Sequence, residues 1–412
     1  MFVHQNFPAQ FKHLAPELAQ QGHEVTAFYL QPGKAGKIKT KSGIKIVPYT
    51  AKRASSKTIH PWVSDFETKI IRAEACFEAA VELKKSGYYP DKIIAHHGWG
   101  ESLFLDSVWP KAALGIYCEY YYRASNSDID FDPEFRLDNQ WEVCRTELKN
   151  LNNDLHFPKA QGGISPTRWQ AHTFPEAFSK KITIVHDGID TDTVRPDKTA
   201  TLRLSGGEVI GKESEVITFV NRSLEPFRGF HIFMRSLPQL LKRRPNARVI
   251  VIGEAGVSYG PEPHQFGYKD RTWKDIFIEE IRSELSPEAW ARIHFTGPIS
   301  YQSYLRVLQV SSVHIYLSYP FVLSWSVLEA MSCACAIVGS DTEPVREAIT
   351  HGQTGMLVDF FDKSALVDSI IELLEGLEFR NKVADNARQH AQVNYDLRSV
   401  CLPKQKQWVD EL

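Results

Sequence analysis

The chain has 412 residues, of which 43% are hydrophobic and 24% are charged, and its formal net charge is -2. This length favours two domains of roughly 200 residues each, because a single core rarely grows beyond about 250–300 residues. The composition excludes a disordered or fibrous protein, and the near-neutral charge predicts no nucleic-acid partner.

The first half of the chain alternates short apolar runs with helical patterns. After the run that begins at Phe2, apolar residues from Phe11 to Ala19 recur at the spacing of one buried helical face, and Gly22 ends that helix. A strand, a helix and a strand in succession are the building block of a parallel sheet. The strands predicted in this half are 2–4, 23–30, 44–47, 92–95, 114–117 and 182–185.

A second alternating series predicts strands at 216–220, 248–252, 293–295, 313–317 and 336–338. We therefore expect an α/β protein with two doubly wound, Rossmann-like halves facing a cleft. The expected domains are 1–190, which binds the acceptor, and 216–395, which binds the donor, joined by a linker at 191–215 that is rich in Gly, Ser, Thr and charge. Ligands in such folds bind beyond the carboxyl ends of the strands.

Two arginines follow the predicted strand that ends at Val220. Guanidinium groups pair with phosphate oxygens and stay charged, so Arg222 and Arg228 suit a diphosphate. The alternative is a pair of solvated surface arginines.

A helix start lies near Ser324, and the free backbone amides of a helix N-terminus can hold a phosphate. Within that helix, Glu329 stands among apolar residues. We expect Glu329 either to accept hydrogen bonds from sugar hydroxyls or to lie solvated on the outer face.

Polar and aromatic residues also follow the strand at 92–95. A stacking face at Trp99 and hydrogen-bonding groups around it suggest a sugar-binding pocket for the acceptor. The alternative is that the histidines merely end a strand and that the tyrosines form the edge of a core. The residues assigned to this pocket are His96, His97, Trp99, Glu101 and Tyr121.

Six cysteines are scattered without the spacing of a zinc site or a disulfide framework, which predicts reduced thiols and a cytoplasmic protein. The N-terminus shows no secretion signal. The interval from Lys34 to Lys57 is basic and contains no acidic residue. It suggests peripheral contact with the inner face of a membrane, or else a solvated loop face.

Several segments of this sequence resemble glycosyltransferase family 4. The resemblance extends over nearly the whole chain and is strongest over 216–360. The matching segments are Arg222 with Arg228-Gly229, Gly253-Glu254, Phe295-Thr296-Gly297-Pro298, Leu328-Glu329-Ala330-Met331-Ser332, Pro344-Val345-Arg346-Glu347 and Gly352-Gln353-Thr354-Gly355.

The resemblance implies the GT-B architecture, with a C-terminal helix at 396–412 that crosses back to the first domain. It also implies transfer of a sugar from a UDP- or GDP-sugar with the anomeric configuration kept and no cofactor required. The acceptor would be a glycan, a glycolipid or a related lipid-linked molecule, in surface polysaccharide biosynthesis.

The resemblance also implies roles for individual residues. Arg222 and Arg228 would neutralise the departing diphosphate, and Glu329 would hold the ribose hydroxyls. The amides near Ser324, Trp325 and Ser326 would hold phosphate oxygens. The base would lie near Ile299, with Gly253 in the same donor site.

Three positions depart from the family pattern. Phe321 stands where a first glutamate usually contacts the donor sugar, Arg228 replaces a lysine, and Glu119 replaces a histidine of the first domain. We expect either that Glu119 acts electrostatically on the transition state or that the site is built differently. Two other functions stay open, namely a sugar-nucleotide epimerase of the same fold and a non-catalytic sugar-nucleotide binding protein.

Overall fold

A computed structural model describes residues 1–32, 39–137, 140–204 and 206–412. The chain divides into two compact units. Unit 1 comprises Met1–Ser127, Asp138–Gly188 and Arg398–Leu412, and unit 2 comprises Asp128–Leu137 and Ile189–Leu397. Unit 2 therefore includes a short segment, Asp128–Leu137, that interrupts unit 1 in the sequence.

Unit 1 is built on a sheet of eight strands in the order β3-β4-β2-β1-β5-β6-β7-β8. All neighbouring strands are parallel except β3 and β4, which are antiparallel. The strands are β1 (Phe2–Val3), β2 (Val25–Leu30), β3 (Lys39–Lys41), β4 (Ile44–Tyr49), β5 (Lys92–Ala95), β6 (Ala113–Tyr117), β7 (Gly162–Ser165) and β8 (Ile182–Ile184).

Helices join these strands, as parallel connections require. They are α1 (Leu14–Gln20), α2 (Ser64–Lys85), α3 (Leu105–Val108), α4 (Gln140–Leu148), α5 (Leu151–His156), α6 (Arg168–Thr173) and α7 (Glu176–Ser179). Two apolar clusters fill the unit, and the predicted strands supply Phe2, Phe28, Ile93 and Ile116 to them.

Unit 2 is built on a fully parallel sheet of six strands in the order β13-β12-β11-β14-β15-β16, and it also contains the antiparallel hairpin β9-β10. The strands are β9 (Thr201–Arg203), β10 (Val209–Gly211), β11 (Val216–Ser223), β12 (Arg248–Glu254), β13 (Ile293–Phe295), β14 (Val313–Tyr316), β15 (Ala336–Ser340) and β16 (Met356–Val358).

The longer helices of unit 2 contribute buried apolar residues that complete its core. Val327, Leu328 and Met331 pack into one apolar cluster with Ala387 and Ala391. The helices are α8 (Phe230–Arg243), α9 (Trp273–Arg282), α10 (Pro287–Trp290), α11 (Tyr301–Val310), α12 (Trp325–Ser332), α13 (Glu343–Ala348), α14 (Lys363–Glu375) and α15 (Leu377–Tyr395).

The last helix, α16 (Leu402–Glu411), returns to unit 1. Its Trp408 is buried against the sheet, where a Cβ on Gly115 of β6 would lie only 2.9 Å from the indole ring. Glycine at this position therefore allows the close approach of the helix. The predicted α/β fold with two Rossmann-like halves and a returning C-terminal helix is confirmed.

Some elements were not predicted from the sequence. β7 contains two glycines and one bulky apolar residue, so it lacks the apolar run of a buried strand. The expected linker at 191–215 lies in unit 2 and carries the hairpin β9-β10. None of the helices in the described ranges is long and apolar enough to cross a membrane.

A buried histidine in unit 2 predicts how stability depends on pH. His314 of β14 is fully buried and contacts the Thr218 hydroxyl at 2.8 Å, and burial lowers its pKa to about 3. The unfolded chain takes up a proton near pH 6.5, so stability is lost as pH falls from there towards 3, by about 1.4 kcal/mol per pH unit.

His314→Asn should remove the contribution of this histidine to the pH dependence of stability. The slope of the unfolding free energy against pH between pH 6 and 5 should therefore be smaller for this variant than for the wild type. Urea denaturation at several pH values measures the slope. His264→Gln, which changes an exposed histidine of the same unit, is the control and should keep the wild-type slope. Equal slopes for His314→Asn and the wild type would contradict the prediction.

Candidate functional site

The first candidate residue of unit 2 lies at an irregularity in the sheet. The register between β11 and β12 shifts between Val220 and Ser223, and a bulge of this kind redirects the side chains around it. Arg222 lies within the bulge and is exposed. Within the described ranges its side chain has no ion-pair or hydrogen-bond partner. The guanidinium group is therefore accessible to an anion.

Arg228 is only 6% exposed and is held by neutral groups. Its Nη1 donates to the Ser318 hydroxyl at 2.7 Å, and Nη1 and Nη2 both donate to the Val322 carbonyl at 3.2 Å. The guanidinium carbon lies 5.2 Å from the ring centre of Tyr259 and 5.8 Å from that of Phe321, within the range of cation–π contacts. No carboxylate of the described residues forms an ion pair with Arg228.

Phe321 is part of the apolar surroundings of this arginine. It is 6% exposed, meets the Phe227 ring edge-on at 5.0 Å and lies 5.0 Å from the Tyr259 ring. At the position where the family pattern has a glutamate, this chain therefore has an aromatic side chain that packs against Arg228. A neutral ring at this position supplies no negative charge to pair with the guanidinium.

Glu225 was not given a role from the sequence, yet it organises this region. Its carboxylate is fully buried and accepts backbone hydrogen bonds from Ser258 at 3.1 Å, Tyr259 at 3.3 Å and Gly260 at 3.0 Å. Burial raises the pKa of Glu225, although these hydrogen bonds and the charge of Arg228 oppose the shift. Glu225 thereby fixes the loop that places Tyr259 over Arg228.

The start of α12 is capped by its own serines. The Ser324 hydroxyl accepts from the Ser326 amide at 3.2 Å, and the Ser324 amide donates to the Tyr316 hydroxyl at 2.9 Å. Trp325 is half-buried and packs on the apolar cluster of the unit. The N-terminus of α12 thus lies in a defined position near the carboxyl ends of the strands, where its dipole favours an anion.

Glu329 is 8% exposed and points towards α11. Tyr301 donates its hydroxyl to Oε1 at 2.7 Å, and Tyr304 donates to Oε2 at 2.8 Å. The solvated outer-face alternative is therefore wrong for Glu329. Each carboxylate oxygen can accept two hydrogen bonds, so these tyrosines do not by themselves prevent a sugar hydroxyl from binding. The i, i+3 spacing of the tyrosines on a helix is the sequence signal for this contact.

Gly253 has a packing role at the end of β12. A Cβ at this position would lie 2.7 Å from the Leu224 side chain and 2.9 Å from the Asn221 carbonyl oxygen. Glycine therefore allows β12 to approach the turn that follows β11. Ile299 is half-buried against the apolar cluster. The assignment of both residues to the donor site stays a prediction.

In unit 1, three of the predicted residues come together beyond β5 and β6. His96 Nε2 lies 3.3 Å from Glu119 Oε2, and the His96 ring stacks on the rings of Tyr117 at 5.2 Å and Trp99 at 6.1 Å. Burial would raise the pKa of Glu119, but the hydrogen bond and charge of His96 outweigh burial and lower it. Glu119 is thus a partly exposed carboxylate beside a buried imidazole.

His97 and Glu101 instead point into the core. His97 Nδ1 contacts the Tyr117 carbonyl oxygen at 3.0 Å, and Glu101 accepts a hydrogen bond from the Tyr49 hydroxyl at 3.1 Å. Burial lowers the pKa of His97 well below its usual value and raises that of Glu101. His97 thus has the structural surroundings that the sequence left open as the alternative for the histidines, and Glu101 is buried as well.

Trp99 and Tyr121 have different surroundings. Trp99 is 37% exposed, with the Arg72 guanidinium 5.7 Å from the centre of its ring. Tyr121 donates its hydroxyl to Asp154 at 3.1 Å, and its ring packs on Phe157. The exposed face of the cluster therefore combines Trp99 with Glu119 above the buried His96, and Arg72 is an addition that the sequence did not suggest.

The basic interval is partly neutralised by α2. Lys52 pairs with Glu78 at 2.6 Å and Arg53 with Glu74 at 3.6 Å, whereas Lys39 and Lys41 are exposed. Lys34 and Lys37 lie outside the described residues. These pairs reduce the positive charge that this interval presents to a membrane.

Two family models match the chain. Residues 21–194 match the family described as Glycosyl transferase family 4 group, and residues 204–390 match Glycosyl transferases group 1. Among curated relatives, a D-inositol 3-phosphate glycosyltransferase of Corynebacterium efficiens is 26% identical over 91% of this chain and 83% of its own. A protein of the same description from Corynebacterium aurimucosum is 24% identical over 92% and 85%.

Solved structures have a similar fold. Sucrose-phosphate synthase from Thermosynechococcus elongatus has a TM-score of 0.73 at 16% identity, covering 98% of this chain and 92% of that one. HepE of Anabaena, in complex with UDP, has a TM-score of 0.67 at 15% identity, covering 100% and 99%. The same protein was also solved with UDP-glucose.

The contacts of Glu225 predict a stability effect. Glu225→Ala leaves three backbone amides without their acceptor, so it should lower the free energy of unfolding by about 1–3 kcal/mol. The control is Glu254→Ala, which removes an exposed carboxylate at the end of the neighbouring strand. It should change the free energy of unfolding by less than about 0.5 kcal/mol. Urea denaturation measures both. Similar losses in the two variants would contradict the assigned role of Glu225.

Proposed function

This chain is a glycosyltransferase of family 4 with the GT-B fold, and we propose that it transfers a sugar from a nucleoside diphosphate to a carbohydrate acceptor with retention. Of the three functions that the sequence left open, the family models favour enzymatic sugar transfer.

The observation that carries the proposal is the buried Arg228 guanidinium. It is bound by a hydroxyl, a carbonyl and two aromatic rings, and no carboxylate of the described chain pairs with it. A buried charge costs several kcal/mol unless it is paired, so this site favours an anionic ligand. Arg222 is an exposed cation at the end of β11, the strand that precedes Arg228. Two guanidinium groups suit a diphosphate.

The neighbouring groups extend this assignment to the rest of the nucleotide. The N-terminus of α12, around Ser324, Trp325 and Ser326, favours phosphate oxygens through its helix dipole, and a phosphate oxygen would replace the Ser324 hydroxyl as the acceptor of the Ser326 amide. Glu329, held by Tyr301 and Tyr304, provides acceptors for the ribose hydroxyls. The base lies near Ile299 in this proposal.

In the proposed reaction, the bond between the anomeric carbon and the diphosphate oxygen breaks and its electron pair stays on the diphosphate. The acceptor hydroxyl oxygen forms the new bond on the same face of the sugar, and its proton passes to the departing diphosphate. Arg222 and Arg228 stabilise the negative charge that develops. The lowered pKa of Glu119 keeps its carboxylate charged at neutral pH, which suits a sugar with positive charge on its ring.

The comparisons support UDP as the first donor nucleotide to test, because HepE was solved with UDP and with UDP-glucose. The curated relatives are described as acting on an inositol phosphate, which makes a phosphorylated polyol a reasonable acceptor beside glycans and glycolipids. We place the enzyme in the cytoplasm, in surface polysaccharide biosynthesis and with peripheral membrane contact through Lys34 to Lys57. Six free cysteines support the reducing compartment.

A thermal-shift panel tests the proposal. UDP, GDP, ADP and their sugars would be added to the purified protein, and the correct diphosphate at a hundred times its Kd should stabilise it by about 2.7 kcal/mol. NMR of the slow donor hydrolysis should then show release of the sugar in its original anomeric form. Absence of any shift, or first release of the opposite anomer, would contradict the proposal.

Glu329→Gln tests the ribose contact. Loss of the charge should raise the Kd for UDP about tenfold, because hydrogen bonds to charged groups contribute about 1.5–3 kcal/mol and tenfold is about 1.4 kcal/mol. Isothermal titration calorimetry measures the Kd. Glu372→Gln, which changes an exposed residue of α14, is the control and should bind UDP as the wild type does. If Glu329→Gln bound UDP like the wild type, Glu329 would not contact the nucleotide.

A further inference from the structure

A ten-residue stretch, Asp128–Leu137, lies between β6 and α4 of unit 1 in the sequence but belongs to unit 2 in the structure. We call it the inserted segment. The polar sequence around Asp128 and Asp130 is typical of a solvated loop, yet Asp128 is only 6% exposed. A stretch that leaves its own unit and becomes buried in another has contacts that hold it there.

Two side chains anchor the inserted segment. The Phe135 ring is buried, with ring centres of Trp273 at 5.0 Å, Phe266 at 5.7 Å and Phe277 at 5.9 Å. Glu134 accepts two hydrogen bonds from the Arg235 guanidinium, at 2.6 and 2.7 Å. The segment is therefore seated on α8 and α9 by an aromatic cluster and a bidentate ion pair.

Between these anchors and the start of the segment lies Asp132, which is 2% exposed. Its Oδ2 accepts a hydrogen bond from the Tyr319 hydroxyl at 2.6 Å and lies 3.1 Å from His231 Nε2, while Oδ1 accepts from the Glu134 amide at 2.9 Å. Burial would raise the pKa of Asp132, but the contacts with His231 and Tyr319 outweigh it and lower the pKa. Asp132 is thus a buried, charged acceptor in a fixed position.

Tyr319 connects Asp132 to the donor region of unit 2. Its amide donates to the Phe227 carbonyl at 3.1 Å, and the two rings lie 4.9 Å apart. The preceding residue, Ser318, accepts the 2.7 Å hydrogen bond from Arg228 and donates its hydroxyl to the Tyr319 carbonyl at 2.9 Å. Tyr319 is therefore fixed at its hydroxyl by Asp132 and at its backbone by the groups that hold Arg228.

We propose that Asp132 is a positioning residue for donor binding, because its hydrogen bond with Tyr319 fixes the turn whose Ser318 and Val322 oxygens hold the Arg228 guanidinium. The inference rests on the proposed function, in which Arg228 binds the diphosphate. A buried side chain that is displaced by even a fraction of an ångström loses the geometry of its hydrogen bonds. Asp132 therefore acts on the donor through Tyr319, through the turn that carries Ser318 and Val322, and through Arg228, and it does not itself contact the donor.

The test uses the full chain and UDP as the probe. Tyr319→Phe removes one hydroxyl, and Asp132→Asn removes the charge while keeping the shape. Each should raise the Kd for UDP about tenfold, which corresponds to about 1.4 kcal/mol. The double variant should have about the same Kd for UDP as the weaker-binding of the two single variants, because both substitutions remove the same contact. In donor kinetics KM should rise by a similar factor, with kcat changed less.

Glu134→Gln is the matched control, because it weakens the seating of the same segment at a half-exposed side chain. It should leave the Kd for UDP within about twofold of the wild type, since surface ion pairs contribute about 0–1 kcal/mol. If Glu134→Gln weakened UDP binding as much as Tyr319→Phe, the effect would belong to the whole segment and the role of Asp132 would be overturned.

The outcomes separate this inference from the proposed function. Lowered melting temperatures with an unchanged Kd for UDP would assign Asp132 a purely structural role and overturn the inference. If Asp132→Asn did not fold, Tyr319→Phe alone would decide between these outcomes, because it deletes only a hydroxyl. If the wild type bound none of UDP, GDP and ADP, the proposed function would fall and this inference with it.

Discussion

Unit 2 buries a positive charge that forms no ion pair with a carboxylate of the described residues, and the packing around it depends on that charge. Arg228 is held by the oxygens of Ser318 and Val322 and by the faces of Tyr259 and Phe321. Each holding group must itself be fixed, because a buried guanidinium gains from these contacts only while their geometry is good. The neighbouring contacts meet that requirement, and in the proposed function a diphosphate neutralises the charge.

This constraint explains features that otherwise look unrelated. Glu225 is a fully buried carboxylate, but it uses its oxygens to fix the loop that carries Tyr259. Phe321 replaces the glutamate of the family pattern and packs against Arg228 instead of offering an acceptor to a sugar. The inserted segment Asp128–Leu137 accepts a hydrogen bond from the Tyr319 hydroxyl through Asp132. In the proposed function Arg228 binds the diphosphate, and in this chain aromatic rings surround it.

The polar residues of unit 1 show how far spacing alone can assign a site. His96 and His97 are neighbours in sequence, but His96 contacts Glu119 whereas His97 is turned into the core. The chain leaves the strand at this point in a short helical turn, so the simple alternation of strand side chains no longer applies. Both histidines come directly after β5, as the sequence indicated, but only His96 lies beside the exposed Trp99.

The sequence by itself determined the alternation of strands and helices, the two Rossmann-like halves, the returning C-terminal helix and the family. These follow from apolar periodicity and from short motifs, which depend on neighbours close in sequence. The tertiary structure decided which side chains face one another. The pairing of Asp132 with Tyr319 joins residues 187 positions apart, and the contacts of Glu329 with α11 depend on how two helices pack. The burial of Arg228 among neutral partners is likewise a property of packing, because a local sequence pattern does not predict what surrounds a side chain.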